Sequence, residues 1–152
     1  MVKNRESMKT DAQRYGNVYY VIDEEMAEEE GRTLETLLLS RRCSSCRAQM
    51  GEKKSITPAK KQMGEIAKCC AKVEDFLSPG MPLRELVFRL LLKGGNKPKS
   101  INDLHYALTE DLAWPTHPMN ISVDALKRIL DLDEYYSFKE VIKERGSRET
   151  SR

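Results

Sequence analysis

Four cysteines are the residues of this chain best suited to chemistry. Two form a Cys43-Ser-Ser-Cys46 pair, and two are adjacent, Cys69 and Cys70. Zinc prefers thiolate ligands, and a gap of two residues lets one tight turn supply two of them. We expect a cytoplasmic protein, in which disulfides are disfavoured and such spacings favour metal. The pattern therefore predicts a structural Zn²⁺ site formed by Cys43, Cys46, Cys69 and Cys70.

The adjacent pair leaves alternatives open, because adjacent side chains usually point apart. Both Cys69 and Cys70 could be ligands if the chain bends sharply there. One of them could instead bind while a histidine or a water completes the set, or one could be a core residue, since free cysteine is often buried. Cys43 and Cys46 could also form a redox dithiol, although no β-α-β unit of the thioredoxin type surrounds them.

The two histidines, His105 and His117, are weak candidates for ligands or acid–base groups. His105 lies in a predicted helix near its apolar face, and His117 lies in a proline-rich turn. The chain has no Gly-rich phosphate loop, no nucleophile elbow and no His-Glu-x-x-His motif. We therefore expect a protein that is not an enzyme and that takes no small-molecule substrate.

Charge is segregated along a chain whose formal net charge is only +2. Residues 23–35 carry seven acids against one base, whereas residues 41–72 carry nine bases against two acids. The two segments could attract and neutralise each other, or the second could be a surface for phosphate backbones. On the second interpretation, the candidate nucleic-acid contacts near the cysteines are Arg41, Arg42, Arg47, Lys53, Lys54, Lys60 and Lys61.

Ser78-Pro79-Gly80 breaks the helical pattern and suggests a boundary between two modules. The expected organisation is a disordered arm (1–14), a cysteine module with an acidic helix (15–78), a second domain (81–142) and a charged tail (143–152). In the cysteine module the pattern predicts a strand over 18–22, a helix capped by Asp23, a helix from 34, a loop over 47–62 and a helix from about 59 to 73.

The second domain has the clearest helical signals. A helix over 83–93 follows Pro82 and ends at Gly94-Gly95-Asn96. Ser100 and Ser122 are N-caps for two further helices. Residues 135–141 alternate and are rich in aromatics, which is typical of a strand. The predicted fold class is mainly α with a small amount of β (α+β).

The stretch Pro82-Leu-Arg-Glu-Leu-Val-Phe-Arg-Leu-Leu-Leu-Lys-Gly-Gly-Asn-Lys-Pro-Lys-Ser-Ile-Asn-Asp-Leu resembles the first two helices of winged-helix domains, including the HARE-type helix-turn-helix. Asn120-Ile-Ser-Val-Asp-Ala-Leu-Lys-Arg-Ile-Leu resembles the third helix, and Tyr135-Tyr-Ser-Phe resembles the wing strand. With its zinc-ribbon-like cysteine module, the whole is similar to a bacterial family of uncharacterised proteins. The resemblance implies a winged-helix-like domain whose third helix enters the DNA major groove. The residues it would place on DNA are Lys97, Lys99, Asn120, Ser122, Lys127 and Arg128.

Two functions fit these patterns. One is a nucleic-acid-binding or transcription-associated adaptor, held to DNA or RNA by the basic cysteine segment. The net charge of residues 81–142 is −1, so that domain alone would bind phosphates weakly. The alternative is a protein–protein interaction or assembly subunit, in which zinc and the winged helix are purely structural. We expect no membrane partner, since the longest apolar runs are far too short to span a bilayer and no secretory signal opens the chain.

Overall fold

The structure is a computed structural model that describes residues 11–50 and 57–143. Helices dominate it, and one small antiparallel sheet accompanies them, which confirms the predicted α+β class. In chain order the elements are α1 (Asp11–Arg14), β1 (Val18–Ile22), α2 (Glu24–Glu29), α3 (Leu34–Leu39), α4 (Ser44–Met50), α5 (Ala59–Lys68), two 3₁₀ turns (Cys70–Lys72 and Glu74–Phe76), α6 (Leu83–Lys93), β2 (Lys99–Ser100), α7 (Ile101–Tyr106), a π-helical turn that continues it (Ala107–Asp111), α8 (Val123–Leu132) and β3 (Phe138–Ile142).

Strand β1 is the centre of the sheet, whose order is β2-β1-β3 with both pairs antiparallel. Its β-branched and aromatic residues alternate, so that Val18, Tyr20 and Ile22 face the core. Tyr20 pairs with Glu140 of β3 in the register of the sheet. A strand from the cysteine-bearing part of the chain is therefore hydrogen-bonded between two strands that lie beyond residue 81.

Helix α6 is the most buried element of the fold, and it spans the predicted 83–93. Its end is joined to the sheet by Asn96, which adopts a left-handed φ of 60°. The Asn96 side chain accepts a hydrogen bond from the Ile22 backbone N–H at 2.8 Å and donates one to the Ile22 carbonyl at 2.9 Å. The side chain thus extends the edge of β1 as a strand would, and it links α6 to the sheet.

The predicted N-caps of three helices are confirmed. The carboxylate of Asp23 accepts from the Met26 N–H, and the hydroxyls of Ser100 and Ser122 accept from the N–H groups three residues later. These bonds satisfy backbone donors that have no partner within the helix. They begin α2, α7 and α8 where the sequence indicated.

One hydrophobic cluster includes buried residues from both sides of the predicted boundary at 78–80. Leu34 and Leu38 of α3 and Ile66 of α5 belong to the same cluster as Phe88 of α6 and Leu126 of α8. The first part of the chain therefore contributes a substantial share of the core. The division into a 15–78 module and an 81–142 domain stays a prediction.

Three element boundaries differ from the sequence prediction. Residues 11–14, which we placed in the disordered arm, are helical, and so are residues 47–50, which we placed in a loop. The last strand begins at Phe138 rather than 135 because the Asp133 carboxylate accepts from the N–H groups of Tyr135 and Tyr136 and folds them into a turn. The rest of the predicted loop, residues 51–56, lies outside the described residues, as do residues 1–10 and 144–152.

The helix that contains Lys68 also ends earlier than predicted. It was expected to reach Val73, but α5 ends at Lys68 and Cys69 leaves the helical region with φ −121° and ψ −67°. A short 3₁₀ turn follows from Cys70. None of the helices over 11–50 and 57–143 combines the length and the apolar character that crossing a bilayer requires.

Candidate metal centre

The sulfur atoms of all four cysteines come together in one cluster. Every pair of the four Sγ atoms lies within 4.8 Å. Cys69 Sγ is 3.2 Å from Cys46 Sγ and 3.8 Å from Cys43 Sγ, and Cys70 Sγ is 3.6 Å from Cys46 Sγ. All four are free cysteines. The predicted ligand set is therefore brought together in space and can hold a metal ion.

Two helix ends position the four sulfurs. Cys43 directly precedes α4 and Cys46 lies in the first turn of that helix, so the two-residue gap points both thiols the same way. Cys69 and Cys70 directly follow α5. The non-helical backbone of Cys69 turns the chain by enough to direct both adjacent side chains at the cluster. The structure thus has the sharp bend that would allow both Cys69 and Cys70 to be ligands, the first alternative for the adjacent pair.

The spacing of the sulfurs matches a single ion. A tetrahedral site with metal–sulfur bonds of about 2.3 Å has sulfur–sulfur edges of about 3.8 Å. The contacts of 3.2, 3.6 and 3.8 Å are close to that edge length. A disulfide needs about 2.05 Å between sulfurs, so these distances describe separate thiols. A cluster of two or more metal ions would place the thiolate pairs farther apart than the 4.8 Å that contains all four sulfurs.

Arg42 is the cation next to the cluster. Its side chain is only 4% exposed, and it pairs with Glu65 at 2.9 Å. Burial opposes its charge, but hydrogen bonding to the sulfur atoms of Cys46 and Cys70 raises the pKa of Arg42. Its buried Nε has no hydrogen-bond partner among the described residues. Negatively charged thiolates would add to the counter-charge of Glu65 beside this buried guanidinium, which fits the donor set to a metal ion.

Backbone donors also point at the sulfurs. The Cys43 N–H donates to Cys70 Sγ at 3.2 Å. The Cys46 backbone N–H lowers the pKa of the Cys43 thiol to about 7. Hydrogen bonding between the Cys69 thiol and the sulfurs of Cys46 and Cys43 raises the pKa of Cys69 to about 12. Burial raises the pKa of Cys70.

A second ionic network lies next to the cluster. Glu85 of α6 accepts two hydrogen bonds from the Arg41 guanidinium, at 2.6 and 2.9 Å, one from Arg89 at 2.7 Å and one from the Tyr136 hydroxyl at 2.7 Å. Burial raises the pKa of Glu85, but these donors outweigh it and lower the pKa to about 2. Arg41 immediately precedes Arg42, so the network joins the chain beside the cysteines to α6 and to the turn before β3.

Arg41 and Arg42 therefore point inward, which differs from the phosphate-binding surface expected for them. Their guanidinium groups are enclosed by protein and paired with carboxylates. The sequence did not predict Glu85 and Tyr136 as the neighbours of Arg41. The only signal was an acid within the apolar run of α6, where a charged residue on a buried face needs a partner.

The remaining basic candidates of the first segment lie on the surface. Lys60 and Lys61 of α5 are exposed, whereas Met63 and Ile66 of the same helix are buried. Arg47 is exposed and donates to the Ser40 carbonyl at 2.9 Å. Lys53 and Lys54 lie outside the described residues.

Two of the six candidates of residues 81–142 are paired with carboxylates of the protein. Lys127 pairs with Asp131 and Glu140, and Arg128 pairs with Asp124 at 2.6 Å. The remaining candidates of this segment have polar side chains at or near the surface, and they are Lys97, Lys99, Asn120 and Ser122.

The histidines are separate from the metal centre. His105 Nε2 is 2.6 Å from the Ile121 carbonyl, so it packs between α7 and the segment before α8. His117 is exposed, and its Nδ1 is 3.1 Å from the Thr116 hydroxyl. The cluster of potential ligands found among the described residues consists of cysteines alone.

No family model, no curated protein and no solved structure matches the chain.

Proposed function

We propose that this protein is a non-enzymatic nucleic-acid-binding adaptor, of a kind associated with transcription, that is held together by one structural zinc ion. The observation that carries the proposal is the convergence of four free cysteine sulfurs within 4.8 Å of one another. Residues 81–142 form the winged-helix-like part of the adaptor, with α6, α7 and α8 as its three helices.

Zinc is the metal that this ligand set favours. Four thiolates around one ion are typical of structural zinc, whereas catalytic zinc keeps an open position and usually has histidine ligands. Soft sulfur ligands also select against magnesium and calcium, which take oxygen. Mononuclear iron is the competing metal for four thiolates, and a coloured protein would reveal it.

The zinc ion has a mechanical role in this account. It joins the start of α4 to the end of α5, and residues 51–58 connect these two helices. An ion bound by both ends stabilises the loop closure, and a structural zinc site contributes its binding energy to folding. Helices α4 and α5, on either side of the loop, then hold their basic side chains in fixed relative positions.

The nucleic-acid surface that we propose is the outer face of α5 and the turn that follows it. Lys60, Lys61, Lys68 and Lys72 are all exposed, and none of them forms an ion pair within the described part of the chain. Lys61 and Lys68 are seven residues apart and so lie on one side of the helix. Free lysines on one surface supply phosphate contacts that do not depend on sequence.

The paired charges and the exposed leucine of α8 favour a second function, the binding of a protein partner. The helix that would read DNA bases carries Lys127 and Arg128, but carboxylates of Asp124, Asp131 and Glu140 neutralise both. The side chain of Leu132 at the end of this helix is 72% exposed. Paired charges and an exposed leucine suit a protein surface better than a phosphate backbone.

Binding to random-sequence duplex DNA and to single-stranded RNA, followed by fluorescence anisotropy between about 50 and 300 mM salt, tests the proposal. We expect the zinc-loaded protein to bind and the affinity to fall steeply with salt. The double variant Lys60→Gln/Lys61→Gln should bind several-fold more weakly, with a log–log salt slope smaller by about 2.

The matched control is the double variant Lys93→Gln/Lys139→Gln, which removes two exposed lysines from other elements and should bind like the wild type. If the zinc-loaded protein binds neither nucleic acid at the lowest salt, the nucleic-acid function is wrong and the protein-partner function replaces it. If both double variants weaken nucleic-acid binding equally, only the net charge of the protein matters for binding, and α5 is not the binding surface.

A further inference from the structure

The four sulfurs of the metal centre have unequal environments. Cys70 and Cys46 are buried, Cys43 is partly buried, and Cys69 is exposed. Cys70 accepts the Cys43 N–H, and both Cys46 and Cys70 contact Arg42. The backbone N–H of Cys46 donates to the Cys43 sulfur. The hydrogen-bonding neighbours of the Cys69 sulfur, among the described residues, are other sulfur atoms.

This inequality matters once a metal ion is bound. A thiol that coordinates zinc is deprotonated, so all four sulfurs become thiolates. An N–H donor or a nearby guanidinium stabilises the negative charge of a thiolate, and a stabilised thiolate is a weaker nucleophile. Within residues 11–50 and 57–143 no such donor reaches Cys69, which is also the most accessible of the four. It is therefore the sulfur from which reaction with an electrophile should begin.

We propose that Cys69 is the reactive thiolate of the metal centre, a modification site at which hydroperoxides oxidise the protein and release its metal ion. The inference rests on the proposed zinc site and deepens it by naming a regulation of that site. The resolving partner is Cys46, whose sulfur lies 3.2 Å from that of Cys69, nearer than the 3.8 Å of Cys43.

The chemistry balances with hydrogen peroxide as the oxidant. The Cys69 thiolate attacks one peroxide oxygen, so that an S–O bond forms, the O–O bond breaks and hydroxide leaves. Cys69 is then a sulfenic acid, oxidised by two electrons. The Cys46 thiolate attacks this sulfur, the S–S bond forms, and the S–O bond breaks with loss of a second hydroxide. Protons from solvent convert both hydroxides to water, and the metal, left with two ligands, dissociates.

Arg42 is a positioning residue in this scheme. Its buried guanidinium lies beside Cys46 and Cys70 and keeps their charge in place. Replacing Arg42 with glutamine should make these two sulfurs more reactive, so that their reactivity comes closer to that of Cys69. Arg47 offers a matched control, since it is also an arginine next to the cysteines, but its guanidinium donates to the Ser40 carbonyl instead.

The experiment uses the zinc-loaded full chain, with its metal content measured on the same stock. Iodoacetamide at half an equivalent per chain is followed by peptide mass spectrometry, and in parallel one equivalent of hydrogen peroxide is followed by zinc release to a chromogenic chelator. We expect Cys69 to carry at least roughly three-fold more label than any other cysteine, and peroxide to yield a Cys46–Cys69 disulfide as zinc is released. Arg42→Gln should raise labelling of Cys46 and Cys70, and Arg47→Gln should not.

Uniform labelling, or first labelling at Cys43, Cys46 or Cys70, would overturn the inference. If that occurs in protein that holds one zinc per chain, the zinc site stands and only the reactive role of Cys69 fails. If the protein binds no zinc at all, both the proposed site and this inference fail. Zinc release without a disulfide to Cys69 would likewise overturn the proposed route.

Discussion

Replacing Glu85 with glutamine should destabilise the protein strongly, although Glu85 touches neither the metal centre nor the proposed nucleic-acid surface. Its carboxylate is 10% exposed and receives hydrogen bonds from Arg41, Arg89 and Tyr136. Glutamine keeps the size of the side chain but removes its charge. Two nearly buried guanidinium groups would then lose their shared counter-ion, which is the costly way to break a buried ion pair.

The magnitude follows from the pKa of Glu85. The ordinary value of 4.5 falls to about 2 in the folded protein, and each unit corresponds to about 1.4 kcal/mol, so the ionised form contributes about 3 kcal/mol. Breaking a buried pair costs about 3–5 kcal/mol in other proteins, which agrees with this value. For a chain of 152 residues such a loss lowers the melting temperature by about 6–12 °C.

The way in which this loss of stability depends on pH gives a sharper test than its size at neutral pH. Because the folded pKa of Glu85 is depressed, its contribution to the free energy of unfolding is fully present above pH 4.5 and is lost as the pH falls towards 2. The difference between wild type and Glu85→Gln should therefore be constant from about pH 7 to about 5 and shrink below that. Any acid-induced loss of metal affects both proteins and cancels in the difference.

Urea denaturation followed by circular dichroism at about pH 7, 5 and 3 measures this difference. Glu110→Gln, which changes an exposed glutamate in the same way, is the matched control and should stay within about 0.5 kcal/mol of wild type. A Glu85→Gln protein as stable as the control at neutral pH, or a difference that does not shrink in acid, would refute the assignment of Glu85 as an ionised bridge.

Two further predictions concern hydrogen bonds that support the sheet and helix α8. Asn96→Ala should lower the free energy of unfolding by about 1–3 kcal/mol in urea denaturation, because both backbone groups of Ile22 lose their partners. Hydrogen exchange at the Ile22 amide should rise in parallel, and a variant as stable as wild type would show that these two bonds do not link α6 to the sheet. Ser122→Ala should cost about 1 kcal/mol, since the Ala125 N–H loses its cap, and an unchanged thermal melt would contradict that role.

Local signals allowed much of the fold to be predicted from the sequence. The helix over 83–93 and the caps at Asp23, Ser100 and Ser122 depend on residues only a few positions apart, and the structure confirms all of them. The grouping of the four cysteines was also predicted, because a Cys-x-x-Cys pair outside a thioredoxin-type β-α-β unit favours metal binding, but the sequence left open whether both Cys69 and Cys70 take part.

Features that depend on distant residues were not predictable in the same way. The pairing of β1 with β2 and β3 joins residues roughly 80 or more positions apart, and no short pattern encodes it. The bend at Cys69 brings two adjacent thiols into one cluster, and the helical preference of the residues before it gives no sign of it. The inward orientation of Arg41 depends on Glu85, which is 44 positions away.

The central claim is that four cysteine sulfurs, delivered by the start of α4 and the end of α5, hold a single zinc ion. X-ray absorption at the zinc K edge, on protein purified without added metal or chelator, tests it most directly. We predict four sulfur ligands at about 2.3 Å and no nitrogen or oxygen ligand. A bound ion with nitrogen or oxygen in its ligand set, or native protein without zinc, would contradict it.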